Sequence, residues 1–401
     1  MKILVLNAGS SSLKFMLFDM KEEQILAKGL VERLGSETPN LIYERFDGKK
    51  IETNITVADH VEAIKAVCDK LLDKKLGVIK KLSEVGAVGH RVVHGGEAAS
   101  KPVIINDQIK NIIRDCFSLA PLHNPPNLAG IEACEEAFPN TPNVGVFDTA
   151  YHASMQPEAY LYALPYELYT KYGIRKYGFH GTSHSYVART ASKYIGFPYK
   201  SLKIITCHLG NGCSMAAINN GSVIDTTMGM TPLEGLVMGT RCGDIDPAVV
   251  LRLFELGKTT EEIDHILNKE SGLLGVGGIG SSDMRDIIAA SVKGDLQATR
   301  ARRMFVRRVV KYIGSYYALL NGVDMIVFTG GVGEHSDFIR AKIVERLTAF
   351  GVGLNAKVNA ETHGTPAVIS SASSRFKVVV MPTNEELMIA RETVKAIDAS
   401  I

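Results

Sequence analysis

Short apolar runs separated by amphipathic stretches set the pattern of this chain. Runs that fit buried strands lie at residues 3–6, 85–88, 144–147, 204–207, 325–328 and 378–381. Between them, apolar positions recur at helical spacing. Over 59–72, Val61, Ile64, Cys68, Leu71 and Leu72 fall on one stripe with lysines and acids opposite. Pro125 and Pro126 punctuate the entry to a second helix carrying Leu128, Ile131, Ala133 and Cys134. A long helix is expected near 295–321, with Met304, Phe305, Val309, Ile313 and Tyr317 inward and Arg300, Arg302, Arg303, Arg307, Arg308 and Lys311 on a solvated face. The last helix is expected after Thr383, whose hydroxyl makes a capping box with Glu386; its stripe is Leu387, Ala390, Val394 and Ile397. Strands alternating with helices predict an α/β protein.

Two of the strands open a repeated design. ILVLNAGSSSLKFMLFD (residues 3–19) and IITCHLGNGCSMAAINNGSVID (residues 204–225) each run from an apolar strand through a glycine and hydroxyl turn into a second strand. Asn7 aligns with His208, and Gly9 with Gly210. Such a turn presents backbone N–H groups as a concavity that favours an anion such as phosphate. Two of them predict a polyphosphate gripped between related domains. The stretch 148–177, rich in Tyr, Pro and His, is the expected boundary: an N-terminal domain over 1–150, completed by the C-terminal helix 386–401, and a C-terminal nucleotide-binding domain over 151–385.

Two further glycine turns differ in promise. GVGGIG at 275–280 matches dinucleotide-binding spacing, but no β-branched strand precedes it and it opens no βαβ unit, which argues against a nicotinamide site. TGGVGEHS at 329–336 follows a strand, and its paired glycines allow a backbone to approach a ligand closely. The turns at Asn7, His208 and Gly330 are expected to converge on one nucleotide. No GxxxxGK[ST] run is present, so the phosphate grip is of another type.

Composition narrows the partner. The 401 residues carry 45 basic against 43 acidic side chains, which gives no reason for general attraction to nucleic acid or membrane and leaves a small molecule as the expected partner. Six cysteines without a CxxC pair fit a reduced compartment. No run approaches the ~18 apolar residues of a membrane span, and the first strand is too short for a signal-peptide core. These features predict a cytoplasmic protein.

Eight ordered motifs then add a resemblance. VLNAGSSSLK (5–14), HRVVHGG (90–96), FDTAYH (147–152), YGFHGTSH (177–184), CHLGNGCS (207–214), MGTRCGDIDP (238–247), TGGVGE (329–334) and TNEE (383–386) resemble the acetate kinase (acetokinase) family over essentially the whole chain. The resemblance implies the two-domain actin/Hsp70/sugar-kinase-like fold, with duplicated ribonuclease-H-like domains about a central nucleotide cleft. It implies reversible transfer of the ATP γ-phosphoryl group to acetate, giving acetyl phosphate and ADP, with Mg2+ as cofactor (Mn2+ able to substitute) and a homodimeric state. By the same likeness Asn7 and Glu385 hold the metal. Lys14, His208, Leu209, Gly210, Asn211, Gly212, Asp283, Met284, Arg285, Gly331, Val332, Gly333, Glu334 and His335 contact the nucleotide. Arg91 binds the substrate carboxylate, Asp148 is a catalytic carboxylate, and His180 with Arg241 stabilises the transition state. Val93, Leu122 and Pro232 form the pocket for the methyl group.

The chemistry has its own logic. Phosphoryl transfer through a loose transition state depends on positioning and electrostatics, and magnesium takes only one or two protein oxygens beside phosphate. A carboxylic acid with a pKa of about 4 is ionised at neutral pH and needs no general base, so Asp148 is expected to orient Arg91 or a metal-bound water. Two anions must meet, which gives Arg91 and Arg241 a purpose as cationic clamps. His180 and His184 stand at i, i+4 but lack the glutamate of HExxH; the residues alone leave His180 as a core histidine or a donor to the phosphoryl group. Rival readings are a propionate or butyrate acceptor, an ATP-gated binding protein on the same fold, and an alcohol kinase.

Overall fold

The computed structural model describes residues 1–400, which form two compact units. The first comprises Met1–Ala153 and the chain from Asn384 onward; the second is Ser154–Thr383.

The first unit is built on β1 (Lys2–Ala8), β2 (Ser12–Asp19), β3 (Gln24–Glu32), β4 (Asn40–Arg45), β5 (Lys50–Asn54), β6 (Val85–Val92), β7 (Val103–Ile104) and β8 (Asn143–Phe147). They make one sheet in the order β5-β4-β3-β2-β1-β6-β8-β7. β1 pairs antiparallel with β2 and parallel with β6, β6 is parallel to β8, and β7 closes the edge antiparallel. Strands buried on both faces need helices on both. Leu4, Leu6 and Val88 share a core with Ile64, Val67, Cys68 and Leu71 of the helix His60–Leu71 and with Ala133 and Cys134 of Asn124–Ala137. Gly89, pointing the other way, meets Ile389 and Thr393 of the terminal helix Glu385–Asp398.

In the second unit β9 (Lys203–Leu209), β10 (Cys213–Asn219), β11 (Ser222–Thr226), β12 (Met325–Thr329), β13 (Ala367–Val368) and β14 (Lys377–Val380) form a sheet ordered β11-β10-β9-β12-β14-β13. Its sequence of antiparallel, antiparallel, parallel, parallel and antiparallel pairings is that of β3-β2-β1-β6-β8-β7. β1 and β9 even share one burial pattern, half-buried only at Lys2 and Asn7 or Lys203 and His208. The repeated design seen in the sequence is therefore one arm of a repeated sheet.

Several helical expectations shift in detail. In His60–Leu71 the buried stripe is Ala63, Ile64, Val67, Cys68 and Leu71, while Val61 and Leu72 lie at its margin. The long helix runs Leu296–Leu319 and buries Phe305, Val309 and Ile313, but Met304 is exposed. Its basic face is not uniformly solvated. Arg308 donates to the Gly235 and Asp244 carbonyls, and the Arg302 guanidinium lies 4.9 Å from the Phe338 ring centroid. The terminal helix is capped by Asn384, whose Oδ1 accepts from Leu387 N, and not by Thr383. The Thr383 hydroxyl is instead 2.9 Å from Ser183 Oγ. In that helix Val394 is half-buried, and Met388, Ile389 and Thr393 join Leu387, Ala390 and Ile397 inside. Among the described residues no helix is long and apolar enough to cross a membrane, and no disulfide joins the six cysteines.

Candidate active site

Ligands of open α/β sheets bind beyond the carboxyl ends of parallel strands. The first unit gathers its charge there. Asn7 stands near the end of β1, Arg91 near the end of β6, and Asp148 follows β8, where its backbone N–H donates to the Val92 carbonyl. Arg91 Nη2 donates to Asp148 Oδ2 at 2.5 Å, and Nη1 lies 3.5 Å from Asn7 Oδ1. Arg91 Nε is buried without a hydrogen-bond partner, so the guanidinium keeps a desolvated donor for which a carboxylate is the natural acceptor. Burial works against the charge of Arg91, but Asp148 and Glu385 outweigh it and hold its pKa above the ordinary value.

Glu385, in the first turn of the terminal helix, completes this half. Burial, and then Asp148, push its carboxyl up to about 7 against the pull of Arg91. Asn7 Oδ1 and the Glu385 carboxylate are oxygen donors of the kind magnesium accepts, few enough to leave water and phosphate in its shell. Burial and the Asp148 charge disfavour the ionised form of Glu385, and a bound cation would offset both. The residues fit the ion. Among the described residues no group of three or more His, Cys, Asp or Glu side chains is placed to hold a metal.

Asparagines that carried no motif signal fix these strand ends. Buried Asn127 accepts from Val93 N at 3.1 Å and donates to the Ala8 carbonyl at 2.7 Å, tying β1 to β6 where their ladder has stopped. Asn124 holds His94 through both its N–H and its carbonyl. Of the acyl-pocket candidates, Val93 is buried, two residues beyond Arg91, whereas Leu122 is 66% exposed. Pro232 belongs to the second unit, where its carbonyl accepts from Arg241 Nη1 at 3.2 Å.

The second unit gathers histidines and backbone instead. His180, in the left-handed region at φ 56°, heads the helix Gly181–Tyr194. Its ring stacks on that of His208 with centroids 4.4 Å apart. Gly210 N–H is taken by the Gly212 carbonyl, as Gly9 N–H is by Ser12 in the first unit, so each turn presents fewer amides than its sequence suggests. A Cβ placed on Gly212 would lie 3.5 Å from Arg241 Nη1 and 3.6 Å from His180 Nε2. Glycine there leaves the space on which those two groups converge. Gly239 N–H donates to the Asn211 carbonyl, and Leu273 and Leu274 N–H to Met238 and Gly239, so three turns are laced together around Arg241. Burial lowers the pKa of Arg241, and among the described residues no carboxylate pairs with it.

Beside these turns lies a cavity of about 720 Å3. Gly210, Asn211, Gly331 and Val332 offer it backbone, while Asp283, Met284, Arg285 and His335 stand around it. Gly330, at φ +75° against the Leu209 backbone, turns β12 directly into the short helix Gly330–His335. The other expected nucleotide contacts do not line this cavity. Leu209 and Gly333 are buried, Gly212 and His208 face His180, and Lys14 lies in the first unit, ion-paired with Glu386. Glu334 Oε1 accepts from the Thr329 hydroxyl and from Gly330 and Thr383 N–H, capping its own helix. Leu273, Ile288 and Phe338, which also line the cavity, carry no motif signal; as apolar residues on helices they read as core.

Beneath that helix, Arg340 is fully buried. It donates to the carbonyls of Gly333, Glu334, Asn359 and Thr362 and to Asn359 Oδ1, with burial lowering its pKa to about 10.

Comparison with known proteins adds identity to this geometry. Residues 2–391 match the Acetokinase family. A relative described as acetate kinase from Carboxydothermus hydrogenoformans is 53% identical over 99% of each chain. The crystal structure of Porphyromonas gingivalis acetate kinase superposes with a TM-score of 0.95 at 45% identity, covering 99% of both chains. That of a propionate kinase from Francisella tularensis gives 0.91 at 42% identity, covering 98% of this chain and 99% of that one.

Proposed function

Because the chain belongs to the acetokinase family, we propose that it catalyses reversible transfer of the ATP γ-phosphoryl group to acetate, giving acetyl phosphate and ADP by direct in-line displacement. The acceptor assignment is carried by one observation: the buried, unpartnered Nε–H of Arg91, beside a guanidinium edge already fixed by Asp148. A small carboxylate there would complete the fork. Asp148 orients Arg91. Acetate arrives ionised, so no proton needs to be removed before attack.

The nucleotide is assigned to the second unit's cavity, with its apolar walls Leu273, Met284, Ile288 and Phe338 suited to a base and its glycine backbone suited to phosphates. Arg241 and His180, converging over Gly212, supply donors to the transferring group, where an arginine is worth ~10³ to 10⁵ in rate. Asn7 and Glu385 would hold magnesium, which when bound neutralises phosphate oxygens and draws the anions together. We read the enzyme as a cytoplasmic homodimer. Exposed Leu251, Phe254 and Leu256, at 64%, 46% and 61%, support a surface that a second copy would cover.

The test is trapping of acyl phosphate by hydroxylamine with ATP and magnesium, using acetate, propionate and butyrate separately. Acetate-dependent hydroxamate is expected at the highest kcat/KM, and its absence would sink the reading. A propionate acceptor is the second reading, favoured by the likeness to a protein described as a propionate kinase; a higher kcat/KM for propionate would install it instead.

A further inference from the structure

We propose that Thr206, His184 and Ser214 form a buried hydrogen-bond relay that fixes His180 as the neutral tautomer with its proton on Nε2, the nitrogen facing the space over Gly212. This rests on the reading above that His180 donates to the transferring phosphoryl group. The relay runs inward from the site. His180 Nδ1 lies 2.8 Å from Ser214 Oγ, which lies 2.7 Å from His184 Nε2; His184 Nδ1 in turn lies 2.7 Å from Thr206 Oγ1. His184, Ser214 and Thr206 are all fully buried.

Proton counting sets the direction. A serine hydroxyl carries one hydrogen, so Ser214 donates to only one of its two ring nitrogens and must accept from the other. If it donates to His184, then His180 carries its proton on Nδ1 and, when neutral, has no donor left on Nε2. If it accepts from His184, it donates to His180 Nδ1 and the proton of neutral His180 sits on Nε2.

Thr206 decides between the two. Its hydroxyl has the His184 Nδ1 at 2.7 Å and the Ala216 carbonyl at 3.5 Å. The longer contact is too stretched to compete. Thr206 therefore donates to His184 Nδ1, which places the His184 proton on Nε2, and the chain of donation continues through Ser214 to His180. In a site that must receive negative charge, this holds an N–H donor in place without requiring an imidazolium. Thr206, His184 and Ser214 are positioning residues, because none of them faces the space over Gly212 and each acts through His180.

The experiment is a long-range 1H–15N correlation spectrum of the full-length enzyme labelled at histidine, at neutral pH, with His180 assigned by comparison with His180→Asn. The expected result is a protonated Nε2 and a bare Nδ1 in the wild type. Ser214→Ala should give both tautomers and lower kcat at unchanged KM for ATP, by less than the ~10²- to 10³-fold of deleting a transition-state donor outright. His184→Gln, whose amide N–H replaces the donor to Ser214, should keep the tautomer and most of the turnover. A wild-type His180 protonated on Nδ1 alone, or on both nitrogens, overturns the relay; so does an unchanged tautomer in Ser214→Ala. Should Ser214→Ala fail to fold, the wild-type spectrum decides. If the tautomer is as stated but His180→Ala retains full turnover, the role assigned to His180 falls and the relay stands.

Discussion

The register of the two sheets puts Arg91 where the second unit has Thr329, and Asp148 where it has Thr383. Leu6, His90 and Gly145 lie side by side across β1, β6 and β8; Cys207, Phe328 and Val380 do so across β9, β12 and β14. One residue further along the second strand of each set stands Arg91 or Thr329, and three along the third stands Asp148 or Thr383. In the first unit the two positions make an ion pair between half-buried Arg91 and buried Asp148. In the second both are held by one carboxylate, Glu334, through a hydroxyl and a backbone N–H. The same strand ends thus hold charge in one copy and neutral donors in the other. Under the function proposed above, the first environment suits a metal and an ionised acceptor, and the second suits backbone-cradled phosphates.

The comparison is most exposed at the arginines. Arg241→Ala should cut turnover by ~10³- to 10⁵-fold, with a loss under about tenfold removing it from the chemistry. Because no carboxylate among the described residues depends on it, its urea denaturation midpoint should move little. Arg91→Ala should instead lower stability as well as activity, because it takes the guanidinium away from the buried Asp148 carboxylate. Equal stability losses in the two variants would break the distinction between the halves.

The next effect concerns the acceptor. Val93→Ala should enlarge the space beside Arg91 and shift kcat/KM from acetate towards propionate by ~1 to 3 kcal/mol, the worth of one methylene. An unchanged ratio would place the methyl group elsewhere.

A further expected effect is on pH dependence. Burial holds His90 down at about 4, partly offset by Asn143, whereas its counterpart Phe328 cannot titrate. A histidine depressed in the fold lends stability above its unfolded pKa of about 6.5, and that stability is lost as pH falls towards about 4. Denaturation midpoints of His90→Asn should therefore decline less than wild type between these values; parallel curves would contradict the burial argument.

Much of this was legible in the chain because glycine turns and strand ends leave discrete marks. Gly210, Asn211, Gly331 and Val332 could be placed from their motifs, and Arg91 from its apolar strand. Other features depend on choices that spacing does not encode. Thr383 and Asn384 are both competent caps, and Asn384 takes the role because Ser183 engages Thr383 from elsewhere in the fold. Phe338 lines the cavity, yet an aromatic on a helix looks the same in sequence when it fills a core. Asn127 bonds residues far apart in the chain, and no local pattern announces that.

Arg340 has a consequence for affinity. Its five donors are all taken by carbonyls of the protein itself. The backbone beneath the cavity is therefore ordered by the fold itself, and the entropy of ordering it falls on folding and not on any later association. A lysine, with one nitrogen for five acceptors, would leave that ordering to the incoming ligand.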